Sequence, residues 1–340
     1  MSSNKRVALV TGSTDGIGRH TAIQLAKKGY RVGIHGRSQK RIDAAVQMIK
    51  SEAAGAEIDT FCFDLSTLQA AKDFCAAVLG TYQDSGLQLL FNNAGVFMDT
   101  KEITSDGLEM TFAVNVVAVF TIFSSLLPLL RKTSTSSIKT AALQTEIETR
   151  GELSVETRGE ADSLLDVRIL NVSSISMEDG PNTLDMKQLE NILDGSKLTP
   201  YDSYGISKRF VAMLSFSLSE LLRAEGTKIP VLTCDPGTVN TKMLLAGWGA
   251  CGIGVEDANT QLKIMTEISF NYDELDGKYW NGSTGVSANG VARCERKMHE
   301  EVHDKQKRDV LWSWLVKFTG IDPSGAAIRI CPSSDGTVRI

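Results

Sequence analysis

The sequence predicts a single α/β domain in which helices cover both faces of a parallel sheet of about seven strands. Three observations lead to this prediction: strand-like and helix-like stretches alternate at short spacing, the strand-like stretches are almost continuously apolar, and no Pro/Gly-rich linker divides the chain. Strands without polar alternation are buried on both faces, which is typical of parallel sheets wrapped by helices. With 340 residues, of which 42% are hydrophobic and 23% charged, the chain can build a sizeable core.

The elements are predicted in the order expected for repeated β–α units. The predicted strands are Arg6–Thr11, Tyr30–His35, Glu57–Phe63, Leu87–Phe91, Val167–Val172 and Lys228–Cys234. The predicted helices are Ile17–Lys28, Ser38–Ala53, Thr67–Leu79, Asp202–Arg223 and a charged, then amphipathic tail helix within Lys297–Gly320. Ser38 is the expected N-cap of its helix. The most apolar run, Val114–Leu130, is broken by Pro128 and polar residues and predicts a buried helix, with no transmembrane segment.

Two stretches depart from this alternation. Thr133–Asp166 contains seven acidic and three basic residues and few large apolar ones, so we expect a polar surface insertion that is mobile. A role in partner docking stays open for it. The second stretch, Met177–Pro200, is expected to lie over the substrate side of the domain. The domain as a whole is expected to span residues 1–320, with a C-terminal tail at 321–340.

Composition and charge restrict the classes of function. A net charge of −5 and the lack of a Lys/Arg stripe argue against a nucleic-acid partner. Met1–Arg6 is polar, so we expect no signal peptide. The cysteines form no C-x-x-C pair and indicate neither a metal site nor a disulfide framework, and they fit a reducing, cytoplasmic location: Cys62, Cys75, Cys234, Cys251, Cys294 and Cys331.

A glycine-rich turn follows the first predicted strand. The stretch Gly12-Ser13-Thr14-Asp15-Gly16-Ile17-Gly18 joins that strand to a helix. Backbone N–H groups of such a turn can approach a pyrophosphate, and the helix N-terminus favours its negative charge. The spacing is G-x-x-x-G-x-G rather than G-x-G-x-x-G, so a merely structural turn stays an alternative. Its place at the first β–α junction favours dinucleotide binding and a Rossmann-type fold.

The end of the second predicted strand bears on the choice of cofactor. An acidic residue there would bind the ribose 2′-hydroxyl of NAD, whereas an Arg accommodates the 2′-phosphate of NADP. The sequence has Arg37 at this point, with Lys40 and Arg41 close behind and no acidic residue. NADP(H) is therefore expected in preference to NAD(H), although Arg37 could instead be a solvated side chain at a helix start.

Six motifs in order resemble the short-chain dehydrogenase/reductase family over nearly the whole chain. They are Thr11–Gly18, Asn92-Asn93-Ala94-Gly95, Asn115, Ser174 at the end of N-V-S-S, Tyr204-x-x-x-Lys208, and Pro236-Gly237. The chain looks most similar to the branch of retinol dehydrogenases and carbonyl reductases. The resemblance, together with the turn and Arg37, implies cofactor contacts from Gly12, Ser13, Asp15, Gly16, Ile17, Gly18, Arg37, Asp64, Leu65, Asn93, Ala94, Gly95, Tyr204, Lys208, Pro236, Gly237, Val239 and Thr241.

The resemblance also implies the catalytic residues Asn115, Ser174, Tyr204 and Lys208. Tyr204 and Lys208 are four residues apart on a predicted helix and share a face. A neighbouring ammonium lowers the pKa of a phenol, which would suit Tyr204 to general acid–base catalysis. Ser174 would hydrogen-bond the substrate oxygen, and Asn115 would support Lys208.

Substrate choice is expected to depend on residues around this site. Ser174 and Tyr204 are separated by more residues than is typical of the family, and the extra residues are Met177–Pro200. Apolar residues follow the N-N-A-G turn (Phe97, Met98) and the P-G pair (Met243-Leu244-Leu245, Trp248). We therefore expect a medium-sized, hydrophobic carbonyl or alcohol substrate. A cofactor-binding scaffold without turnover, and an epimerase or dehydratase, remain alternatives, and a homo-oligomer is possible.

Two short motifs are interpreted as coincidences. His299-Glu300-Glu301-Val302-His303 has the H-E-x-x-H spacing of zinc proteases, but its many charged neighbours indicate a solvated helix without a third ligand. Asn171-Val172-Ser173 is a glycosylation sequon inside a predicted core strand. We therefore expect neither a metal site nor a glycan at these positions.

Overall fold

The protein folds around one seven-stranded, all-parallel sheet, as the sequence predicts. The computed structural model describes residues 5–149, 167–181, 189–195, 197–266, 272, 276–282 and 298–325, without the side chains of 136–149 and 281. The strand order is β3-β2-β1-β4-β5-β6-β7. The strands are β1 Val7–Val10, β2 Arg31–Gly36, β3 Ile58–Cys62, β4 Leu89–Asn92, β5 Arg168–Val172, β6 Val231–Asp235 and β7 Tyr279–Asn281.

Helices connect the strands and cover both faces of the sheet. Those of the first half are α1 Gly16–Lys27, α2 Gln39–Glu52, α3 Leu68–Tyr82 and α4, which begins as Met110–Phe112, widens into a π-helical turn at Ala113–Val117 and continues as Ala118–Thr149. Those of the second half are α5 Leu189–Leu193, α6 Pro200–Ala224, α7 Lys242–Gly247, α8 Thr260–Thr266, α9 Glu300–His303 and α10 Lys305–Thr319. Ser38 occupies the predicted N-cap of α2, but its side chain makes no capping hydrogen bond.

Two apolar cores lie on opposite faces of the sheet, which explains the apolar strands. In β1, Val7 and Leu9 face one core, and Ala8 and Val10 face the other. The first core is formed with α3, α4, α6 and the C-terminal helices, and the second with α1, α2 and α8. Because every described residue of the inner strands β1, β4, β5 and β6 is buried on one side or the other, polar alternation is absent there, as expected for a doubly wound sheet, whereas the edge strand β3 has exposed residues.

Helix α4 corrects the expectation for residues 133–149. The sequence predicts a mobile insertion from Thr133, but the helix continues to Thr149. Thr133 is buried, its hydroxyl donates to Leu129 O (2.8 Å) and accepts from Leu87 N (3.1 Å), and this contact ties the helix to the start of β4. Residues 150–166 lie outside the described residues. Met110–Thr135 is apolar and long enough to cross a membrane, and 89% of its most apolar 18-residue window is buried inside the domain.

The other long insertion packs on the domain where it is described. Met177 and Leu193 are fully buried in the first core. Leu193 O accepts a hydrogen bond from Glu109 N (2.9 Å), just before α4. Residues 182–188 and 196 lie outside the described residues, so the expectation that the insertion lies over the substrate stays a prediction.

The predicted tail helix is divided at Asp304. Helix α9 ends at His303, and Asp304 caps α10 by accepting a hydrogen bond from Lys307 N (3.1 Å). The aromatic side chain of Trp312 packs edge-on against Phe120 of α4. These contacts place the C-terminal helices against α4 and α6, on the same face of the sheet as the first core.

The sheet positions the candidate site at the carboxyl ends of its strands. The chain winds outward from β1 to β3 and then returns to the other side at β4, so β1 and β4 are neighbours with opposite winding. In doubly wound sheets a crevice opens at this point and binds ligands. The glycine turn follows β1, and the N-N-A-G turn begins at the end of β4. Both predicted cofactor turns therefore meet at this crevice.

Candidate active site

The glycine turn has the backbone shape that close approach to a ligand requires. Gly12 and Gly16 have positive φ values of 65° and 51°, which favour glycine. A Cβ at Gly12 would lie 2.8 Å from Ala94 Cα, and one at Gly18 would collide with Gly12 O. The turn is thus packed on its own helix and on the N-N-A-G turn. The first turn of an α-helix such as α1 has N–H groups without intrahelical acceptors, and such groups can bind an anion.

Thr11 and Asn93 lock the two turns together. The Thr11 hydroxyl accepts hydrogen bonds from both Asn93 N and Ala94 N (3.0 Å each). The Asn93 amide donates to Thr11 O (2.9 Å) and Gly12 O (3.2 Å). The Asn93 side chain therefore supports the shape of the turn, and its neighbours Ala94 and Gly95 line the crevice. Thr11, the first residue of the glycine-turn motif, is not among the predicted cofactor residues, although it fixes the two turns to each other.

His35 and Ser13 fix the turn to the end of β2. His35 Nδ1 accepts from Gly12 N (3.1 Å), and its Nε2 contacts Phe63 O (3.1 Å). The Ser13 hydroxyl donates to Val10 O (2.8 Å), and Ser13 N donates to His35 O (2.9 Å). Ser13 is fully buried with these groups engaged and supports the turn, and its predicted cofactor contact stays a prediction.

A cluster of cations surrounds Asp15. Its carboxylate contacts Lys242 Nζ (2.6 Å), Arg41 Nη2 (3.0 Å) and Arg19 Nη2 (3.5 Å), and it caps α1 through Gly16 N (2.9 Å). Burial opposes ionisation, but these partners, Lys242 foremost, hold the pKa of Asp15 below its usual value. Asp15 therefore holds three cations at the mouth of the crevice.

The remaining predicted cofactor residues surround the same crevice. Arg37 is exposed just after β2, and Asp64 and Leu65 follow β3. Gly237 has a φ of 88°, and its N–H donates to Asp235 Oδ1 (3.0 Å) at the end of β6. Pro236 precedes it, and Val239 is buried behind it. Thr241 caps α7, and its methyl group lies 3.2 Å from where a Cβ of Gly16 would be, with Ile17 next in the turn.

The three predicted catalytic side chains Ser174, Tyr204 and Lys208 come together at the ends of β5 and α6. The Ser174 hydroxyl interacts directly with the Tyr204 phenol and lowers its pKa, in opposition to the effect of burial. Lys208 Nζ lies 5.6 Å from the centre of the Tyr204 ring and donates to Val172 O (3.0 Å). Lys208 is buried, and Tyr204 is only 8% exposed. The phenol thus has Ser174 as a direct partner and Lys208 as a near neighbour.

The electrostatics of this group differ from the expectation. Burial raises the pKa of Tyr204, and the hydrogen bond from Ser174 opposes this only in part. Burial also lowers the pKa of Lys208 to about 8, against the opposing effect of Cys234 and Asp235. The sequence predicts a Tyr204 pKa lowered by the ammonium, but in this structure desolvation outweighs it. A phenol that keeps its proton is suited to donating it, as an acid does.

Asn115 supports the site from the π-helical turn of α4. Its Oδ1 accepts from Val96 N (2.8 Å), and its Nδ2 donates to Val96 O (3.0 Å) and Ser207 Oγ (3.0 Å). A Cβ on Gly95 would lie 3.2 Å from Asn115 Oδ1 and 3.3 Å from Lys208 Nζ. Asn115 therefore clamps the chain beside Lys208. Ser207, which the sequence reasoning omits, donates in turn to Tyr204 O (2.7 Å).

An apolar lid, residues 241–253, covers the phenol. The ring of Phe97 lies 4.8 Å from Trp248, 5.1 Å from Tyr201 and 5.8 Å from Tyr204, and the Tyr204–Trp248 distance is 5.6 Å. The Tyr201 hydroxyl donates to Gly247 O (2.7 Å), which ties α6 to the lid. Phe97 and Trp248 thus pack on the ring of Tyr204, and Tyr201 packs on both of them. Tyr201 carries no motif signal and is missed by sequence reasoning.

The outer surface of the lid is also apolar. Leu245, Trp248 and Ile253 are 47%, 39% and 46% exposed, and no residue of α7 is buried. Met243 and Leu244 are half-buried on the same helix. Monomeric proteins expose contiguous apolar groups mainly at ligand or partner sites. The mouth of the site is therefore suited to an apolar ligand.

The residues of the H-E-x-x-H motif make other contacts, and the expectation of a solvated helix is wrong for Glu301 and Val302, which are buried. Helix α9 has only four residues, and His299 at its N-cap accepts from Glu301 N (3.3 Å). His303 packs edge-on against Phe216. Within the described residues, no group of three or more His, Cys, Asp or Glu side chains is arranged to hold a metal ion.

Known proteins resemble the chain in sequence and in fold. A family model described as short chain dehydrogenase matches residues 6–146. A short chain dehydrogenase/reductase (dpchH) of Colletotrichum higginsianum is 30% identical over 299 residues, which are 82% of this chain and 68% of that protein. A polyprenol dehydrogenase of Mus musculus is 32% identical over 246 residues, 72% of this chain and 63% of that protein. The chain thus spans somewhat less than two thirds of the mouse relative.

Further matches cover more of the chain. A polyprenol dehydrogenase of Homo sapiens is 27% identical over 328 residues, which are 93% of this chain and 86% of that protein. Among solved structures, the NADPH-bound carbonyl reductase from chicken fatty liver aligns with a TM-score of 0.56 and 21% identity over 82% of this chain and 96% of that one. Levodione reductase aligns with a TM-score of 0.58 and 15% identity, over the same shares of the two chains. The structural matches support the fold.

Proposed function

Because the chain belongs to the short-chain dehydrogenase/reductase family, an oxidoreductase family that acts on alcohols and carbonyl groups, we propose the following activity for it. The protein interconverts a long, apolar primary alcohol of the polyprenol type and its aldehyde, with NADP(H) as cofactor. A cytoplasmic location is part of this proposal. The polyprenol dehydrogenases among its relatives support the substrate class.

The apolar lid is the observation that carries the proposed substrate class. The phenol of Tyr204 is reached through a ring of Phe97, Tyr201 and Trp248, and beyond it lie the exposed Leu245 and Ile253. A polar substrate would lose hydration here without gaining hydrogen bonds, whereas an isoprenoid chain gains contact area. Each buried CH₂ contributes about 0.8 kcal/mol. An apolar tail several carbons long is therefore strongly favoured.

The crevice fits a dinucleotide. The Gly12–Ala94 contact leaves no room for a Cβ, so the two turns present backbone rather than side chains to a ligand. Gly12, Gly16 and Gly18 would hold the pyrophosphate, Asp64 and Leu65 the adenine, and Lys208 the nicotinamide ribose. When bound, the nicotinamide supplies or takes up a hydride.

The side chains of the protein supply the proton and the polarisation. The high pKa of Tyr204 keeps its phenol protonated, so that in the reduction direction it protonates the substrate oxygen. The Ser174 hydroxyl, next to the phenol, stabilises negative charge on that oxygen. Asn115 keeps Lys208 and the neighbouring chain in place through its contacts with Val96.

The preference for NADP(H) is supported by charge. Arg37 is exposed and directly follows the end of β2. Arg41 and Lys242 both contact the carboxylate of Asp15. A 2′-phosphate carries two negative charges that an arginine fork binds well. The carboxylate of Asp15 repels that phosphate. Because Asp15 is in contact with three cations (Arg19, Arg41 and Lys242), the net charge of this group of side chains is still positive.

The experiment is an activity panel followed by NADPH absorbance. Purified protein is assayed with farnesal, retinal, decanal, a cyclic ketone and a quinone, and in reverse with farnesol and polyprenol. We expect the isoprenoid aldehydes to have the highest kcat/KM. Tyr204→Phe is expected to lose turnover by at least about 10³-fold while NADPH binding, measured by fluorescence, is unchanged.

Three results would overturn parts of the proposal. Retained activity of Tyr204→Phe would refute the mechanism. A preference for the small ketone over the isoprenoids would refute the substrate class. Binding of NADPH without turnover of any compound in the panel would favour a cofactor-binding scaffold.

A further inference from the structure

Arg209, the residue after Lys208, is a fully buried guanidinium that the catalytic machinery described above does not use. It is 0% exposed, and it forms an ion pair with Glu301, which is 1% exposed, at 3.1 Å (Nη1–Oε2). Its other hydrogen bonds go to three carbonyls: Met177 O (2.9 Å), Asp179 O (2.9 Å) and Pro181 O (3.1 Å). Burying a charged pair is costly unless its geometry is good and its remaining donors are satisfied. Here every nitrogen of the guanidinium has an acceptor.

The three carbonyls belong to one segment, the strap, residues 174–181. The strap begins at Ser174, whose hydroxyl accepts from Ser176 N (3.2 Å). A Cβ on Gly205 would lie 2.7 Å from Ser176 O and 3.2 Å from Asp179 O. The strap therefore lies directly on the turn of α6 that carries Tyr204, and Arg209 fastens it there one turn further along.

Glu301 connects this arrangement to the C-terminal helices. Its second oxygen contacts Lys307 Nζ (3.2 Å) of α10, and His299 Nδ1 lies 4.0 Å from the first. Glu301 is the central residue of the motif that resembles a zinc site, and its burial explains why a charged residue stands there. The C-terminal helices are thus connected to the strap through the buried ion pair between Glu301 and Arg209, in addition to apolar packing.

We propose that Arg209 and Glu301 are positioning residues that, through the strap, hold Ser174 in its place beside Tyr204. The C-terminal helices are then part of the structure that sets the reactive geometry. This rests on the proposed function, in which Ser174 stabilises charge on the substrate oxygen. Without the Glu301 carboxylate the guanidinium loses its counter-charge, and it and the strap relax together.

The test is a double-mutant cycle between Glu301→Gln and Ser174→Ala. In the wild-type background, Glu301→Gln is expected to lower kcat for farnesal by roughly 10- to 100-fold, the effect of a displacement of about 1 Å. The Kd for NADPH is expected to stay within about twofold. In the Ser174→Ala background, the same change is expected to have almost no further effect, because the geometry it protects is already lost. Losses that multiply would show a general structural role and overturn the proposal.

A matched control uses a second ion pair between the same two parts of the protein. Arg308 of α10, 3% exposed, pairs with Glu220 of α6 (2.9 Å), away from the strap. Glu220→Gln is expected to leave kcat within about twofold. If it lowers kcat as much as Glu301→Gln does, the effect is not specific to the strap, and the proposal fails.

Hydrogen–deuterium exchange gives a readout that needs no substrate. In Glu301→Gln, exchange of the backbone amides of 174–181 is expected to accelerate at least about tenfold, while β1 and β4 stay unchanged. Unchanged exchange in the strap would overturn the proposal even if the panel shows no turnover and the proposed function itself fails. Should Glu301→Gln not fold, Glu301→Asp replaces it in both experiments; because it keeps the charge and only lengthens the ion pair with Arg209, it is expected to give smaller changes in the same direction, and no change in the exchange of 174–181 would overturn the proposal.

Discussion

His35 links protonation to stability through the glycine turn. The imidazole is 4% exposed, and Nδ1 accepts from Gly12 N, so the proton of the neutral ring is on Nε2, facing Phe63 O. Burial lowers the pKa of His35 from 6.5 to about 4, against the opposing effects of the Phe63 carbonyl and Asp64. A second proton on Nδ1 would face an N–H group. Protonation therefore breaks the bond that fixes the turn to β2.

These pKa values determine the direction and the size of the change in stability with pH. The folded state has the lower pKa, so as pH falls the unfolded chain takes up the proton first, and stability falls with it. The contribution is fully present above pH 6.5 and is lost as pH falls to about 4. Over the whole window it amounts to about 3 kcal/mol. Between pH 7.5 and 5.0 the expected loss is about 2 kcal/mol.

The assay is urea unfolding of the wild type and of His35→Asn at pH 7.5 and 5.0. The asparagine does not titrate, so all other ionisable groups cancel in the comparison. We expect the wild type to lose about 2 kcal/mol more than the variant between the two pH values. Equal losses, within about 0.5 kcal/mol, would refute a buried neutral His35 as the source of the pH dependence.

Four further variants test other parts of the site. Lys208→Met removes an ammonium whose pKa burial lowers to about 8. At pH 7 we therefore expect the free energy of unfolding of the variant to be about 1–3 kcal/mol higher than that of the wild type, and its turnover to be lost. A variant less stable than the wild type would contradict this. Gly205→Ala places a Cβ 2.7 Å from Ser176 O, and we expect at least a tenfold lower kcat with little change in the Kd for NADPH; an unaltered kcat would show that the close approach is dispensable. Arg37→Asp and Arg41→Asp are each expected to raise the KM for NADPH at least about tenfold and to leave that for NADH nearly unchanged; a preference for NADPH in both would place the 2′-phosphate elsewhere.

Much of the fold is predictable from the sequence because burial on both faces leaves a clear pattern. The apolar runs place the strands to within a few residues, and the glycine spacing predicts the first turn. The continuation of α4 beyond Thr133 is not predictable in this way, because Ser and Thr are weak helix formers and the helix is held by contact with Leu87. The sequence does not show which distant segment a helix will touch.

The site is predictable in its membership but not in its electrostatics. The spacing of Tyr204 and Lys208 indicates that they are neighbours, and the structure confirms that they lie close together. Their pKa values depend on how deeply the folded chain buries them, which no local pattern records. The burial of Arg209 is not predictable from the sequence either. An arginine in an amphipathic helix is normally expected to be solvated, and only the folded structure shows the carbonyls that accept its hydrogen bonds.

The buried apolar segment Met110–Thr135 also has a consequence for how the chain is made. With a mean hydropathy of 2.1 it is as apolar as a membrane-spanning helix, and it is covered by α6 and the C-terminal helices, which follow it in the sequence. Synthesis at about 5–20 residues per second leaves an interval on the order of ten seconds between its emergence and that of α6, which begins to cover it. During this interval the nascent chain exposes a long hydrophobic surface. A chaperone that binds such surfaces on the ribosome is therefore expected to raise the yield of folded protein, most strongly when translation is slowed between residues 136 and 224.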